Sequence, residues 1–318
     1  MAPTPRIENE DAQDVLDKIW KLQPPDVLKA EKGMRYGHQT KYLSWTVPDT
    51  KAYRDGITLI HITDLQFGHV ACKLERVIEY RDWILAEPNR FCLFGGDMAD
   101  LWASHSPGSP FEQLGDPQSQ VYKLVEILSP LRHRVLGYVG GNHERRGIPS
   151  FGDTGHLISM LLRIPYSAGQ QFIDVHYGEH TPFKIQMWHG VGGARTKGTV
   201  AQNLHRFMTS GDSHLYLVGH YHQPMVIPMW KVARDGLKRR AKITKCIGAV
   251  SSSFLESWNT YAEVSGFAAT DVLMAATQLE RNGKWQVNLR TVGWLAAGIG
   301  TWFSTQGTWL ASLMERVV

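Results

Sequence analysis

Five short apolar runs in this chain each end beside a side chain that can bind a cation or a phosphate. That repetition restricts the available folds more than any other feature. Ile57–Thr63 runs into Asp64, Phe91–Phe94 into Gly95-Gly96-Asp97, Val135–Val139 into Gly140-Gly141-Asn142, Phe183–Trp188 into His189, and Leu215–Val218 into Gly219-His220. Brief β-branched, apolar runs mark buried strands. In an open α/β sheet, ligands collect at the C-terminal ends of the strands. Five such ends on one edge would bring Asp64, Asp97, Asn142, His189 and His220 together. Glycine next to four of them lets the backbone turn sharply and come close to an ion or a phosphate.

Between these runs the spacing is helical. Residues 74–86 read as a helix with Leu74, Val77, Ile78, Arg81 and Leu85 on its inner side, and 118–130, 154–163 and 200–210 read as further helices. After the last of the five runs the pattern changes. Residues 225–230, 241–250, 270–279 and 285–291 alternate like antiparallel strands with no helices between them. The chain has 318 residues, 43% hydrophobic and 20% charged, enough to bury a large core. We divide it into an N-terminal extension (1–55) that packs on the main fold, with an amphipathic helix at 9–21, a main domain (56–291) and an apolar C-terminal tail (292–318) of helical pattern.

The net charge of +4 suits anionic substrates without specifying a nucleic acid. The three cysteines, Cys72, Cys92 and Cys246, are widely spaced and form no C-x-x-C. That argues against a disulfide framework or a thiolate metal site. With no secretion-signal pattern at the N-terminus, a cytoplasmic setting is expected. The five side chains supply oxygen and imidazole nitrogen, a set that suits Mn, Fe or Zn. A carboxylate between two such groups can bridge two ions about 3.5–4 Å apart, which clamp a phosphate and hold a hydroxide in line with the leaving group.

The ordered set Asp64-Leu65-Gln66, Gly96-Asp97-x-x-Asp100, Gly141-Asn142-His143-Glu144, His189-Gly190 and Gly219-His220-Tyr221-His222 resembles the calcineurin-like metallophosphoesterase superfamily over about residues 57–250. Single pieces are common; the whole set in this order is specific. The resemblance implies an α/β, four-layer sandwich, two mixed β-sheets face to face and flanked by helices. It implies two divalent ions, with Asp97 bridging them, Asp64 and His222 on the first, and Asn142, His189 and His220 on the second. His143 would contact the phosphate and protonate the leaving oxygen, and Asp100 would orient it.

Gln66 stands where that family has a histidine, so the first ion is expected to bind weakly. His69 is either a substitute ligand or an ordinary loop histidine, while strand alternation turns His61 to the opposite face. Leu101-Trp102 stand where protein phosphatases have Arg-Gly, which argues against that branch. The resemblance implies hydrolysis of a phosphoric ester, and the basic run at 231–245 tilts the choice toward a phosphodiester (nucleic acid or nucleotide). A phosphomonoesterase, or a binding scaffold of little activity, are the alternatives.

Three features have two readings each. Arg145 and Arg146 either grip a substrate phosphate or are solvated. The basic run Lys231, Arg234, Lys238, Arg239, Arg240, Lys242 and Lys245 brackets Asp235-Gly236, a good hairpin turn. It is either a solvated tip or, nine residues past His222, a contact for DNA or RNA at the rim of the site. The tail has no charged residue from Thr291 to Met314. It is read first as an amphipathic helix docking on its own fold or on another subunit, and second as a membrane contact.

Overall fold

The structure is a computed structural model. It describes residues 40–292 except 107, 149–151, 195, 236–239, 257–262 and 264–270, with the side chains of 233–235, 240 and 242 also left undescribed. The expected helix at 9–21 and the tail beyond 292 lie outside the described residues.

Among the described residues, twelve strands form two six-stranded sheets. The first has the order β12-β11-β2-β3-β4-β5. It is built from β2 (Ile57–Ile62), β3 (Arg90–Phe94), β4 (Val135–Val139), β5 (Tyr166–Ser167), β11 (Met274–Leu279) and β12 (Trp285–Arg290). The second has the order β1-β6-β7-β8-β10-β9. Its strands are β1 (Tyr42–Thr46), β6 (Gln171–His176), β7 (Phe183–Trp188), β8 (Leu215–Val218), β9 (Met225–Asp235) and β10 (Arg240–Val250). In each sheet the strands that lead to the site run parallel; β11 and β9 lie antiparallel beside them, and β5 continues the first sheet in parallel.

Side-chain alternation sorts the core into layers. Leu59, Phe91, Leu93 and Val139 of the first sheet pack against Ile173, Ile185, Met187 and Leu217 of the second. Ile60, Ile62, Cys92 and Phe94 point the other way, onto α1 (Leu74–Leu85), α2 (Pro117–Leu128) and a later helix (Thr154–Leu162), the last two contributing Val121, Leu124 and Ile158. Tyr216, Val218, Cys246 and Val250 meet Val200, Leu204 and Phe207 of the helix Lys197–Met208. The result is the expected sandwich of helices, sheet, sheet and helix. No described helix is long and apolar enough to cross a membrane.

Several details differ from the sequence reading. The inner side of α1 is Arg76, Val77, Tyr80 and Ile84, while Leu74 and Leu85 are 37% and 36% exposed. The helix is turned so that the Tyr80 hydroxyl donates to the carbonyls of Val272 (3.0 Å) and Arg290 (2.6 Å). A tyrosine and an arginine with satisfied polar ends thus take the place of two leucines. Residues 42–46, inside the stretch read as an extension, form β1 and pair in parallel with β6. Its polar alternation and lone edge position hid it. β5 is too short to leave a pattern.

The basic run is also placed differently. β9 starts beside the site, Met225 pairing with Val250, and ends with Asp235 opposite Arg240. Five to ten residue steps of extended chain carry the run about 17–33 Å from that end. Nine residues in sequence do not bring it to the rim, because a strand leads away from the residue that starts it.

Candidate metal centre

The five expected side chains do converge, and the backbone that presents them is strained. Asp64 (φ 53°), Gln66 (φ 45°), Asp97 (φ 52°), His220 (φ 66°) and His222 (φ 54°) are all left-handed. For non-glycine residues this conformation is costly and gathers at functional sites. The loops after β2 and β3 hold one another through Asp64 N–H to Gly96 C=O and Gln66 N–H to Asp97 C=O, both 2.9 Å. Glycine is required where they touch. A Cβ on Gly141 would lie 2.0 Å from Asp97 Oδ1, and one on Gly219 would lie 2.6 Å from Asp64 Oδ2.

Asp97, Asn142, His189 and His220 form one group. One ligand atom from each of Asp97, His189 and His220 lies within 4.8 Å of the others. His189 Nε2 is 3.2 Å from Asp97 Oδ2 and 3.1 Å from Asn142 Oδ1. The outer nitrogen of each histidine faces a backbone carbonyl: His189 Nδ1 lies 2.8 Å from Gly95 O, and His220 Nε2 lies 2.6 Å from Gly192 O. Those carbonyls can only accept, so the outer nitrogens carry the protons and the inner ones turn lone pairs inward. In the neutral form, His189 Nε2 would then meet two oxygen acceptors with no hydrogen between them. A proton or a cation has to sit there. Burial disfavours charge on His189, yet the Asp97 carboxylate outweighs it and holds the imidazole up to about 10. Burial also opposes ionisation of Asp97, and His143 and His189 prevail, keeping its carboxyl far below the usual range. The donor set fits a divalent metal ion.

The second group is Asp64, His222 and Gln66. Asp64 is fully buried. It accepts from Thr63 Oγ1 (2.6 Å) and from the His220 N–H (2.9 Å), and its Oδ1 lies 3.2 Å from His222 Nε2. Gln66 Nε2 lies 3.5 Å from the same His222 nitrogen, and turning its amide over would present Oε1 instead. His69 does not join this group. Its Nδ1 accepts the Ala71 N–H at 3.0 Å and its Nε2 points to Glu112 at 3.9 Å. His61 is buried between the sheets, with Nδ1 2.9 Å from Ser251 Oγ.

Beside the first group stands His143. Its Nδ1 lies 2.8 Å from the Asp100 carbonyl and 3.0 Å from Asp100 Oδ1, and its Nε2 lies 3.5 Å from Asp97 Oδ2. Burial pulls the imidazole down, and the carboxylates of Asp97 and Asp100 more than compensate, so its pKa is raised. The segment that follows Asp100 braces it. Gln113 Nε2 donates to Asp100 Oδ2 at 2.6 Å, and Gln120 Nε2 holds Gln113 Oε1 at 2.9 Å. The two arginines part company. Arg146 Nη2 lies 2.9 Å from His143 Nε2 and Nη1 donates to the Asp100 carbonyl at 2.7 Å, whereas Arg145 donates to the Ala168 carbonyl at 2.6 Å.

Sequence reasoning left Glu144 without a role. It is fully buried, and its carboxylate accepts the N–H groups of Asp97 (2.9 Å), Met98 (2.7 Å) and Gly141 (2.8 Å) and the Tyr138 hydroxyl (2.9 Å). Its position at the end of Gly141-Asn142-His143-Glu144 was the available signal.

No protein-family model and no curated protein matches this sequence. Among solved structures, the chain is similar to a metallophosphoesterase from Sphaerobacter thermophilus, with 15% identity, 79% of this chain and 95% of that one covered, and a TM-score of 0.36. It is also similar to the NAD nucleotidase of Haemophilus influenzae, with 10% identity, 74% of this chain and 50% of that one covered, and a TM-score of 0.37.

Proposed function

We propose that this chain is a metal-dependent phosphoesterase working by a two-metal mechanism. The observation that carries the proposal is the convergence of Asp97 Oδ2, Asn142 Oδ1 and the inner nitrogen of His189 within 3.2 Å, with His220 beside them. Acceptors brought that close need a proton or a cation between them, and the added ligand atom of His220 favours a metal ion.

Asp97, Asn142, His189 and His220 would hold one ion. Asp64, His222 and, more weakly, Gln66 would hold the other, with Asp97 between the two. When bound, divalent ions neutralise phosphate oxygens and lower the pKa of an attacking water. The rest of the chemistry belongs to the chain. His143, with its Nδ1 held by Asp100, accepts from Arg146 at Nε2 in this structure; with a phosphate drawing Arg146 away, Nε2 would carry the proton for the leaving oxygen. Arg146, against His143, lies within reach of the same phosphate and can donate to it.

The substrate class is a phosphate ester; the basic run that favoured a phosphodiester in the sequence is carried away from the site, so the monoester stands level with it. The test is hydrolysis of bis-p-nitrophenyl phosphate and p-nitrophenyl phosphate with added Mn²⁺. Turnover that chelator abolishes, and that Asp97→Ala and His143→Ala lose, is expected. No turnover with any divalent ion would sink the proposal and favour a scaffold role, to which Gln66 gives some support. Turnover of one ester alone would assign the class.

A further inference from the structure

The hairpin β9–β10 outruns the sheet that carries it. β8 pairs with β10 only over Ile247–Val250, whereas β9 and β10 pair with each other along all eleven residues of each strand. Beyond Ile247 the two strands form a ribbon with no third strand beside it among the described residues. Such a ribbon buries little on its own.

Its two faces differ. Trp230 and Val232 share a face with Ile243 and Lys245, in the register Trp230↔Lys245 and Val232↔Ile243. Trp230, Val232 and Ile243 are 59%, 70% and 65% exposed, and Pro228 and Ala241 on the same face are exposed as well. The opposite face is anchored. Ile227 and Met229 pack on the cluster around Leu204 and Phe207, and Lys231 donates to the Tyr216 hydroxyl at 2.6 Å and to the Gly211 carbonyl. The ribbon is therefore fixed at its root, with an apolar face turned to water. It is also strongly cationic, with seven lysines and arginines against one acid between residues 231 and 245. It leads away from the metal centre, so the hydrolytic site does not account for it.

We propose that this ribbon docks on an anionic lipid surface. An apolar face that includes a tryptophan and Lys245, on a ribbon whose sequence is rich in lysine and arginine, matches a layer of acyl chains beneath negative headgroups. Charge disfavours a second copy as the occupant, since Arg234 and Lys245 fall in the register of the apolar face and no acid of the two strands does, so a two-fold axis would set like charges against each other. A nucleic acid would use the charges but not the cross-strand pair Val232 and Ile243, because aliphatic side chains give bases nothing to stack on.

The test is cosedimentation of the full chain with vesicles of phosphatidylcholine alone or with about one-third phosphatidylserine. Pelleting with the serine lipid only, weakened by salt, is expected. Trp230→Ser with Ile243→Ser should abolish it, and Lys238→Gln with Arg239→Gln should weaken it about fivefold per charge removed. Trp230 and Ile243 lie outside the metal centre, so that variant should keep the parent's thermal transition and its rate on a small soluble ester. No pelleting with anionic vesicles overturns the proposal. So does pelleting that both double variants leave unchanged, retention of duplex DNA without vesicle binding, or a dimer in size-exclusion chromatography that the Trp230/Ile243 variant dissolves.

Discussion

Glu144 Oε2 accepts the backbone N–H of Asp97 at 2.9 Å, and that bond sets how Asp97 enters the metal centre. Three more donors, Met98 N–H, Gly141 N–H and the Tyr138 hydroxyl, end on the same carboxylate. Asp97 is left-handed at φ 52°, a conformation its loop would not keep unaided.

Glu144→Gln keeps the shape but puts an NH₂ where N–H groups point. With at least one buried donor left unmet, a loss of about 2–4 kcal/mol is expected. Calorimetry should show a lower Tm, and Mn²⁺ affinity should fall even though no ligand has been changed. An unaltered Tm would mean that the loop does not depend on Glu144.

Gln66→His restores an imidazole beside Asp64 and His222. If the first site is weak because a neutral amide is a poor ligand, this variant should reach half-maximal activity at lower Mn²⁺, by about tenfold or more. The same midpoint in both proteins, or both ions retained in equal stoichiometry by the parent after purification without added metal, would contradict the uneven site.

Much of this site could be read from the chain, because a ligand at the end of a buried strand leaves a local signature. Asp64, Asp97, Asn142, His189 and His220 each follow an apolar run, and glycine sits where another loop must come within contact. The supports were harder to see. Glu144, Gln113 and Gln120 act across the fold, and a buried acid or amide that binds backbone N–H groups looks like any polar residue in sequence. The face of α1 was misjudged for a related reason, since Tyr80 and Arg76 bury only because carbonyls and a hydroxyl elsewhere receive them. Proximity in sequence also misled at 231–245, where the direction of β9 decided the distance.

Asp100 touches His143 twice, through its carbonyl and its carboxylate. Its own carboxyl is buried, which favours the neutral form, but His143 and Gln113 hold its pKa below the usual value. Asp100→Asn should lower kcat by roughly 10²–10³ while leaving the Mn²⁺ requirement unchanged, because Asp100 is not in the ligand set. The imidazole loses a carboxylate that favours its charged form, so the alkaline limb of the pH profile should move to lower pH. A parallel loss of metal binding would instead make Asp100 a support for the ligands.

His61 gives a prediction about acid stability. It lies buried between the sheets, its Nδ1 is met by Ser251, and its Nε2 has no hydrogen-bond partner. Burial depresses its pKa to about 3 from 6.5, Asp64 opposing and His189 adding to the shift. Above 6.5 neither the folded nor the unfolded chain protonates it. Between 6.5 and about 3 only the unfolded chain takes the proton, so stability is lost as pH falls, by up to roughly 1.4 kcal/mol per unit. His61→Asn keeps a polar group near Ser251 but cannot take up a proton in the unfolded chain. The variant should be less stable at neutral pH, because the smaller side chain leaves space, and its stability should fall less steeply between pH 6.5 and 4. Urea unfolding across that range measures both slopes. Identical slopes would mean that other groups carry the acid sensitivity of this fold.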